Sequence, residues 1–280
     1  MEGIVSTTWM VEHLNDQDLR IIDARGSFAT YEEGHIPGAQ MLHIETLRMS
    51  DGGIPCKMFS PDVLATIFGR LGITNSTPVI IYATDPKDHV SASYTAWSLA
   101  VSGNTNVRIL DGGFALWEDN ELTITQQFPE IMREQYSPGF NEPIFADWQY
   151  INSRLGDPDV VLVDTRTRSM YTGLTGPTQR RGHIPGAVLH NYIWDFQRDG
   201  TYLPEKKLRE RYEREGITPD KEIITYCVTG REGSAAWFIL KVMLGYPRVR
   251  LYQASMTEWT AHPELPVVQG LTPMGTSKAA

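Results

Sequence analysis

The sequence predicts an α/β protein of two tandem domains, each a mostly parallel sheet flanked by helices on both faces. Three observations predict it. Short β-branched apolar runs alternate with helical patterns along the chain. One pattern, Asp-x-Arg followed by Gly-His-Ile-Pro-Gly-Ala, occurs twice, at Asp23, Arg25 and His35 and again at Asp164, Arg166 and His183. The third is length, because 280 residues are many for a single core. A repeat of about 130 residues marks duplicated domains, since solenoid units recur every 20–50 or so. The expected division is 1–122 for the first domain, 123–141 for a linker, 142–270 for the second domain and 271–280 for a loose tail.

In order, the first domain opens with a short helix within 4–20, capped by Ser6 or Thr7. A strand at 19–23 runs into the first Asp-x-Arg. A helix at 63–71 ends at Gly72-Ile73-Thr74. A strand at 79–83 follows, then a helix carrying Trp97, a strand at 107–110 and Trp117. Residues 123–141 lack periodicity and hold turn residues near their end, so they read as linker. The second domain repeats the plan. A strand at 160–163 precedes the second Asp-x-Arg, and a helix at 208–215 ends at Gly216-Ile217-Thr218. The strand Ile223-Ile224-Thr225-Tyr226, a helix at 234–244 with Trp237, a strand at 249–252 and Trp259 complete it. Only the second copy carries extra residues, at 173–181. Trp194 and Phe196 read as core.

The candidate site follows from that alignment. Cys227 ends the strand at 223–226 and heads the loop Val228, Thr229, Gly230, Arg231 and Glu232, which leads into a helix. Loop N–H groups and a helix N-terminus favour a thiolate, so Cys227 is expected to be a nucleophile near neutral pH. The first copy has Ala83 at this position, followed by Thr-Asp-Pro-Lys-Asp-His, so it holds the scaffold without the chemistry. Gly230 permits a left-handed turn, and Arg231 is placed to hold an anion. Asp164 and Arg166 read as a structural ion pair, and His183 as a turn-stabilising histidine, because all three recur in the copy without the cysteine. Arg180 and Arg181 lie in the extra segment, where substrate binding and a solvated basic turn are both open readings. Glu232 places a negative charge near the site and, if it faces Cys227, opposes the thiolate by about one pKa unit. A phosphatase loop would need its arginine at position 233, which is Gly233 here.

Composition excludes other classes. A net charge of −9 is unsuited to nucleic acid or an anionic membrane surface. No apolar run approaches the ~20 residues of a membrane span, and the first residues show no secretory pattern, so a cytoplasmic location is expected. Cys56 and Cys227, the two cysteines, make no disulfide framework and are expected in different domains. No metal-ligand spacing occurs, and neither metal nor cofactor is expected.

The paired Asp-x-Arg and Gly-His-Ile-Pro-Gly-Ala motifs, Asp111-Gly112-Gly113 with Trp117, and the lone Cys227 heading a loop in the second half resemble the two-domain rhodanese family. The resemblance covers about 5–265 of the chain. It implies two rhodanese-like domains, each with a five-stranded sheet, and a sulfurtransferase carrying a sulfane sulfur as a persulfide on Cys227. It implies a small anionic donor, thiosulfate or 3-mercaptopyruvate, and cyanide or a thiol as acceptor. Paired arginines like Arg180 and Arg181 precede the second motif in mercaptopyruvate-type members, where they bind substrate. A non-turnover sulfur-sensing or binding module is the alternative. The chain departs from the family in its loop, in Met170 where an arginine is usual, and in Tyr252-Gln253-Ala254-Ser255 where the first half has Leu110 followed by Asp-Gly-Gly.

Overall fold

The computed structural model describes residues 3–84, 89–178 and 180–274. The first half contains β1 (Ile4–Val5), α1 (Thr7–His13), β2 (Arg20–Asp23), α2 (Phe28–Glu33), β3 (Ala39–Met41), β4 (Arg48–Asp51), β5 (Ile54–Met58), α3 (Pro61–Arg70), β6 (Val79–Tyr82), α4 (His89–Val101), β7 (Val107–Leu110) and α5 (Gly113–Asp119). The second half contains β8 (Phe145–Ala146), α6 (Trp148–Ser153), β9 (Val160–Asp164), α7 (Arg168–Tyr171), β10 (Val188–Leu189), α8 (Glu205–Arg214), β11 (Glu222–Tyr226), α9 (Arg231–Phe238), β12 (Val249–Tyr252) and α10 (Ser255–Ala261).

Each half builds one five-stranded sheet, in the orders β1-β7-β6-β2-β3 and β10-β9-β11-β12-β8. Every pairing described in both sheets is parallel. The middle strands β6 (VIIY) and β11 (EIITY) are buried at every residue, as parallel strands covered on both faces must be. In the first sheet, Val5, Met10, Ile21, Ile80, Tyr82 and Trp117 share one apolar cluster. In the second, Ile151, Leu162, Tyr171, Ile184, Tyr226 and Trp259 share another.

The chain folds as two compact units, one built of residues up to Met49 with Met58–Asn141 and Asp195–Leu203, the other of Ser50–Lys57, Glu142–Trp194 and the chain from Pro204 onward. This departs from an even cut in three ways. Residues 123–141 belong with the first unit: Thr125 pairs with His35, and the Tyr136 hydroxyl meets Ser102 Oγ at 2.9 Å. The segment Asp195–Leu203 joins the first unit, where the Tyr202 N–H donates to Asp111 Oδ1 at 2.9 Å. Cys56 falls in the same unit as Cys227, buried with its thiol donating to the Ala254 carbonyl at 3.7 Å.

Local differences have local causes. The opening helix is preceded by a two-residue strand, and Ser6 is its cap, accepting from the Trp9 N–H at 3.1 Å. The helix expected at 234–244 starts earlier, at Arg231, and loosens into a π-helix over Ile239–Met243. Pro273, in the supposed loose tail, accepts from the Gly186 N–H at 2.8 Å. Trp194, expected in the core, is 42% exposed and meets His190 edge-on.

Candidate active site

The second sheet brings Asp164 and Tyr226 side by side at the carboxyl ends of β9 and β11. Cys227 is the next residue and has no exposed surface. Gly230 caps α9 at φ +83°, and a Cβ there would lie 2.2 Å from the Gln253 carbonyl oxygen. Both the turn and the close approach therefore demand glycine. This tight turn aims the N–H groups of Thr229 and Gly233 at the Cys227 sulfur. The expected source was 228–232; the geometry uses Thr229 from that stretch and reaches one residue beyond it.

Glu232 faces the cysteine, and its carboxylate hydrogen-bonds the sulfur. Burial pushes the Cys227 thiol up, the Glu232 carboxylate pushes it further, and the Gly233 and Thr229 N–H groups only partly oppose them. Burial and the Glu232 carboxylate thus act against the thiolate that the loop and helix N-terminus favour. Val228, Thr229 and Arg231 are half-buried around it.

Asp164 and Arg166 form a closed structural pair. Arg166 donates through Nε to Oδ1 at 2.8 Å and through Nη2 to Oδ2 at 2.6 Å and to the Gly182 carbonyl at 2.7 Å. Burial presses the guanidinium down, but Asp164 outweighs it and the net shift is upward, with Tyr226 and Cys227 adding to it. Arg25 repeats the arrangement on Asp23 and the Gly34 carbonyl. His183 stacks on Tyr171 at 3.7 Å, with Nδ1 2.8 Å from the Tyr171 carbonyl oxygen and Nε2 3.1 Å from that of Pro273. His35 does the same with Tyr31.

The paired arginines diverge. Arg180 donates to the His262 carbonyl at 2.6 Å and to that of Leu265, so it ties down the chain after α10. Arg181 is exposed.

Two residues at the site went unforeseen. Ser255 Oγ accepts from the Cys227 N–H at 3.0 Å and donates to the Tyr252 carbonyl at 2.8 Å. Thr257 grips the Val228 carbonyl oxygen through its N–H at 3.0 Å and its hydroxyl at 2.8 Å. In the first copy the N–H groups of Phe114 and Ala115 hold the Ala83 and Thr84 carbonyls in the same way. Gly113 and Ala115 there have no hydroxyl to add. The signal was the break from Asp-Gly-Gly: Ser255 stands at φ +54° where Gly113 has φ +58°. The loop after Thr84, read above as lacking a nucleophile, lies outside the described residues over 85–88.

The rhodanese-like domain family matches this chain twice, over 6–120 and 147–262, and the chain belongs to it. A putative thiosulfate sulfurtransferase of Synechococcus elongatus is 34% identical, with 95% of this chain and 85% of that protein covered. The sulfur carrier protein TtuD of Thermus thermophilus is also 34% identical, with 96% and 97% covered. Among solved structures, the anaerobic ergothioneine biosynthesis enzyme from Chlorobium limicola, in complex with trimethyl histidine, superposes with a TM-score of 0.86 at 25% identity, covering 97% of this chain and 71% of that one. No helix among the described residues is long and apolar enough to cross a membrane.

Proposed function

We propose that this protein is a sulfurtransferase that moves a sulfane sulfur from thiosulfate to a thiol or cyanide through a persulfide on Cys227. The observation that carries the reading is the sulfur itself, held at the carboxyl end of β11 with the Thr229 and Gly233 N–H groups aimed at it, in the one copy that has a cysteine there. Cys227 attacks the outer sulfur of thiosulfate. A sulfur–sulfur bond forms to the cysteine, the donor's own breaks, and its electron pair leaves with sulfite. The terminal charge of the persulfide then needs stabilising donors, which the Thr229 and Gly233 N–H groups and the Thr229 hydroxyl supply without a metal. Arg231 and the exposed Arg181 offer charge for the donor's anionic end. An acceptor thiolate or cyanide attacks the outer sulfur and restores the cysteine. The names of the relatives in Synechococcus elongatus and Thermus thermophilus support sulfur handling of this kind. A 3-mercaptopyruvate donor would use the same cysteine, releasing pyruvate.

A second reading is a sulfur-holding module without rapid turnover. It is favoured by the raised Cys227 thiol, which slows attack on a donor. Intact mass after brief incubation with thiosulfate or 3-mercaptopyruvate, on wild type and Cys227→Ser, separates the readings. A one-sulfur gain on wild type only, discharged by cyanide, is expected. Loading that cyanide fails to discharge moves the weight to the holding module, and no gain from either donor overturns the transferase reading. The faster donor names the substrate.

A further inference from the structure

The turn at Gly230 leads directly into the helix that carries Glu232, whose carboxylate hydrogen-bonds the Cys227 sulfur. With φ at +83° and the Gln253 carbonyl closing the space beside it, the backbone has little freedom before α9 begins at Arg231. Glu232 is the second residue of that helix, directly before Gly233, whose N–H also meets the sulfur. The charged groups around Cys227 are Glu232 itself, Arg231 beside it, and the Asp164–Arg166 pair at the end of β9. Arg166 is already matched by Asp164 at 2.6 Å. A buried thiolate beside a carboxylate would place two like charges together, which is costly in a site withdrawn from water.

We propose that Glu232 is the proton acceptor for Cys227 during sulfur loading, an assignment that rests on the sulfurtransferase reading above. The resting pair is a thiol hydrogen-bonded to a carboxylate. As the Cys227 sulfur bonds to the outer sulfur of thiosulfate, its proton crosses to Glu232 and sulfite departs with the electron pair of the broken bond. The pair is then a persulfide anion beside a carboxylic acid, and sulfite leaves as the dianion while Glu232 keeps the proton. The pair carries one negative charge before and after loading, never two. Proton transfer to a carboxylate is uphill for a thiol alone, so the sulfur–sulfur bond must form as the proton moves. A base within hydrogen-bond reach of the proton it takes meets the geometric requirement for such a step.

Single-turnover loading from thiosulfate and from 3-mercaptopyruvate, followed by intact mass across pH, tests this on wild type, Glu232→Gln and Glu232→Asp, alongside iodoacetamide alkylation of Cys227. Glu232→Gln should slow loading about 100-fold at pH 7, while the alkylation midpoint moves to lower pH because the neighbouring charge is gone. Glu232→Asp should recover part of the rate. Slower loading with easier alkylation is a pair of results that a structural glutamate does not produce. Glu232→Gln loading at the wild-type rate or faster overturns the proposal and leaves Glu232 as an opponent of the thiolate. If Glu232→Gln does not fold, Glu232→Ser and Glu232→Asp decide by the same comparison. Wild type that loads from neither donor overturns the sulfurtransferase reading, and this proposal with it.

Discussion

At Gly230 two requirements meet: a positive φ and a carbonyl oxygen where a Cβ would go. Gly230→Ala should lower stability by at least about 2 kcal/mol, from the left-handed backbone and the clash with Gln253 together. Urea unfolding measures the loss, and sulfur loading should fall with it because the loop can no longer aim its N–H groups. Ser255 poses the opposite problem. It holds a left-handed φ of +54° with a side chain, and that side chain satisfies the Cys227 N–H. Ser255→Ala should cost about 1–3 kcal/mol by leaving a buried donor unpaired. Ser255→Gly, the residue of the first copy, should cost less because it relieves the backbone, so the urea midpoints should fall in the order wild type, Gly, Ala. Cys227 and its loop were legible in the sequence because strand, cysteine and glycine follow in one line. The direction of Glu232, the engagement of Arg180 and the grip of Ser255 were not, since spacing along a chain does not say where a side chain points.

The corner between β7 and α5 is held by Asp111, whose carboxylate accepts from the Tyr202 N–H at 2.9 Å. Burial raises its pKa from 3.8 to about 6, with Asp199 adding to the rise and the Tyr202 and Gly112 N–H groups opposing it. Between about pH 4 and 6 folded Asp111 therefore holds a proton that the unfolded chain has released. Its contribution to stability is full below about pH 4 and is lost as pH rises through about 6. Urea unfolding at pH 4 and pH 7 should show this fall in wild type and a flatter response in Asp111→Asn. The same scale shows which elements a sequence reveals. The buried runs of β6 and β11 announced themselves, while the edge strands β1, β8 and β10, two residues each, are too short to leave a periodic trace. The π-helical turn after α9 is likewise invisible, because its residues, Ile239-Leu240-Lys241-Val242-Met243, suit an α-helix equally well.

Over the whole molecule the duplication is what the sequence showed most plainly, because Asp-x-Arg and Gly-His-Ile-Pro-Gly-Ala are repeated almost letter for letter. The membership of Ser50–Lys57 in the second unit and of Asp195–Leu203 in the first was hidden, since it depends on contacts far apart in the chain. Duplication also predicts what a transplanted nucleophile would do. The first copy has Gly113 and Ala115 where Ser255 and Thr257 hold the Cys227 N–H and the Val228 carbonyl, so a cysteine there would lack both hydroxyls. Ala83→Cys in a Cys227→Ser background should therefore remain unloaded by thiosulfate when its mass is measured, even though β6 and β11 are matching strands.

A sulfur with no exposed surface, its thiol pushed up by burial and Glu232, is also a poor target for peroxide, which attacks thiolates. The protein should keep its cysteine through oxidising episodes that would convert an open thiolate to sulfenic and then sulfinic acid, and so outlast such damage in the resting state. In the proposed cycle the vulnerable interval is the persulfide, when the sulfur is charged and waiting for its acceptor.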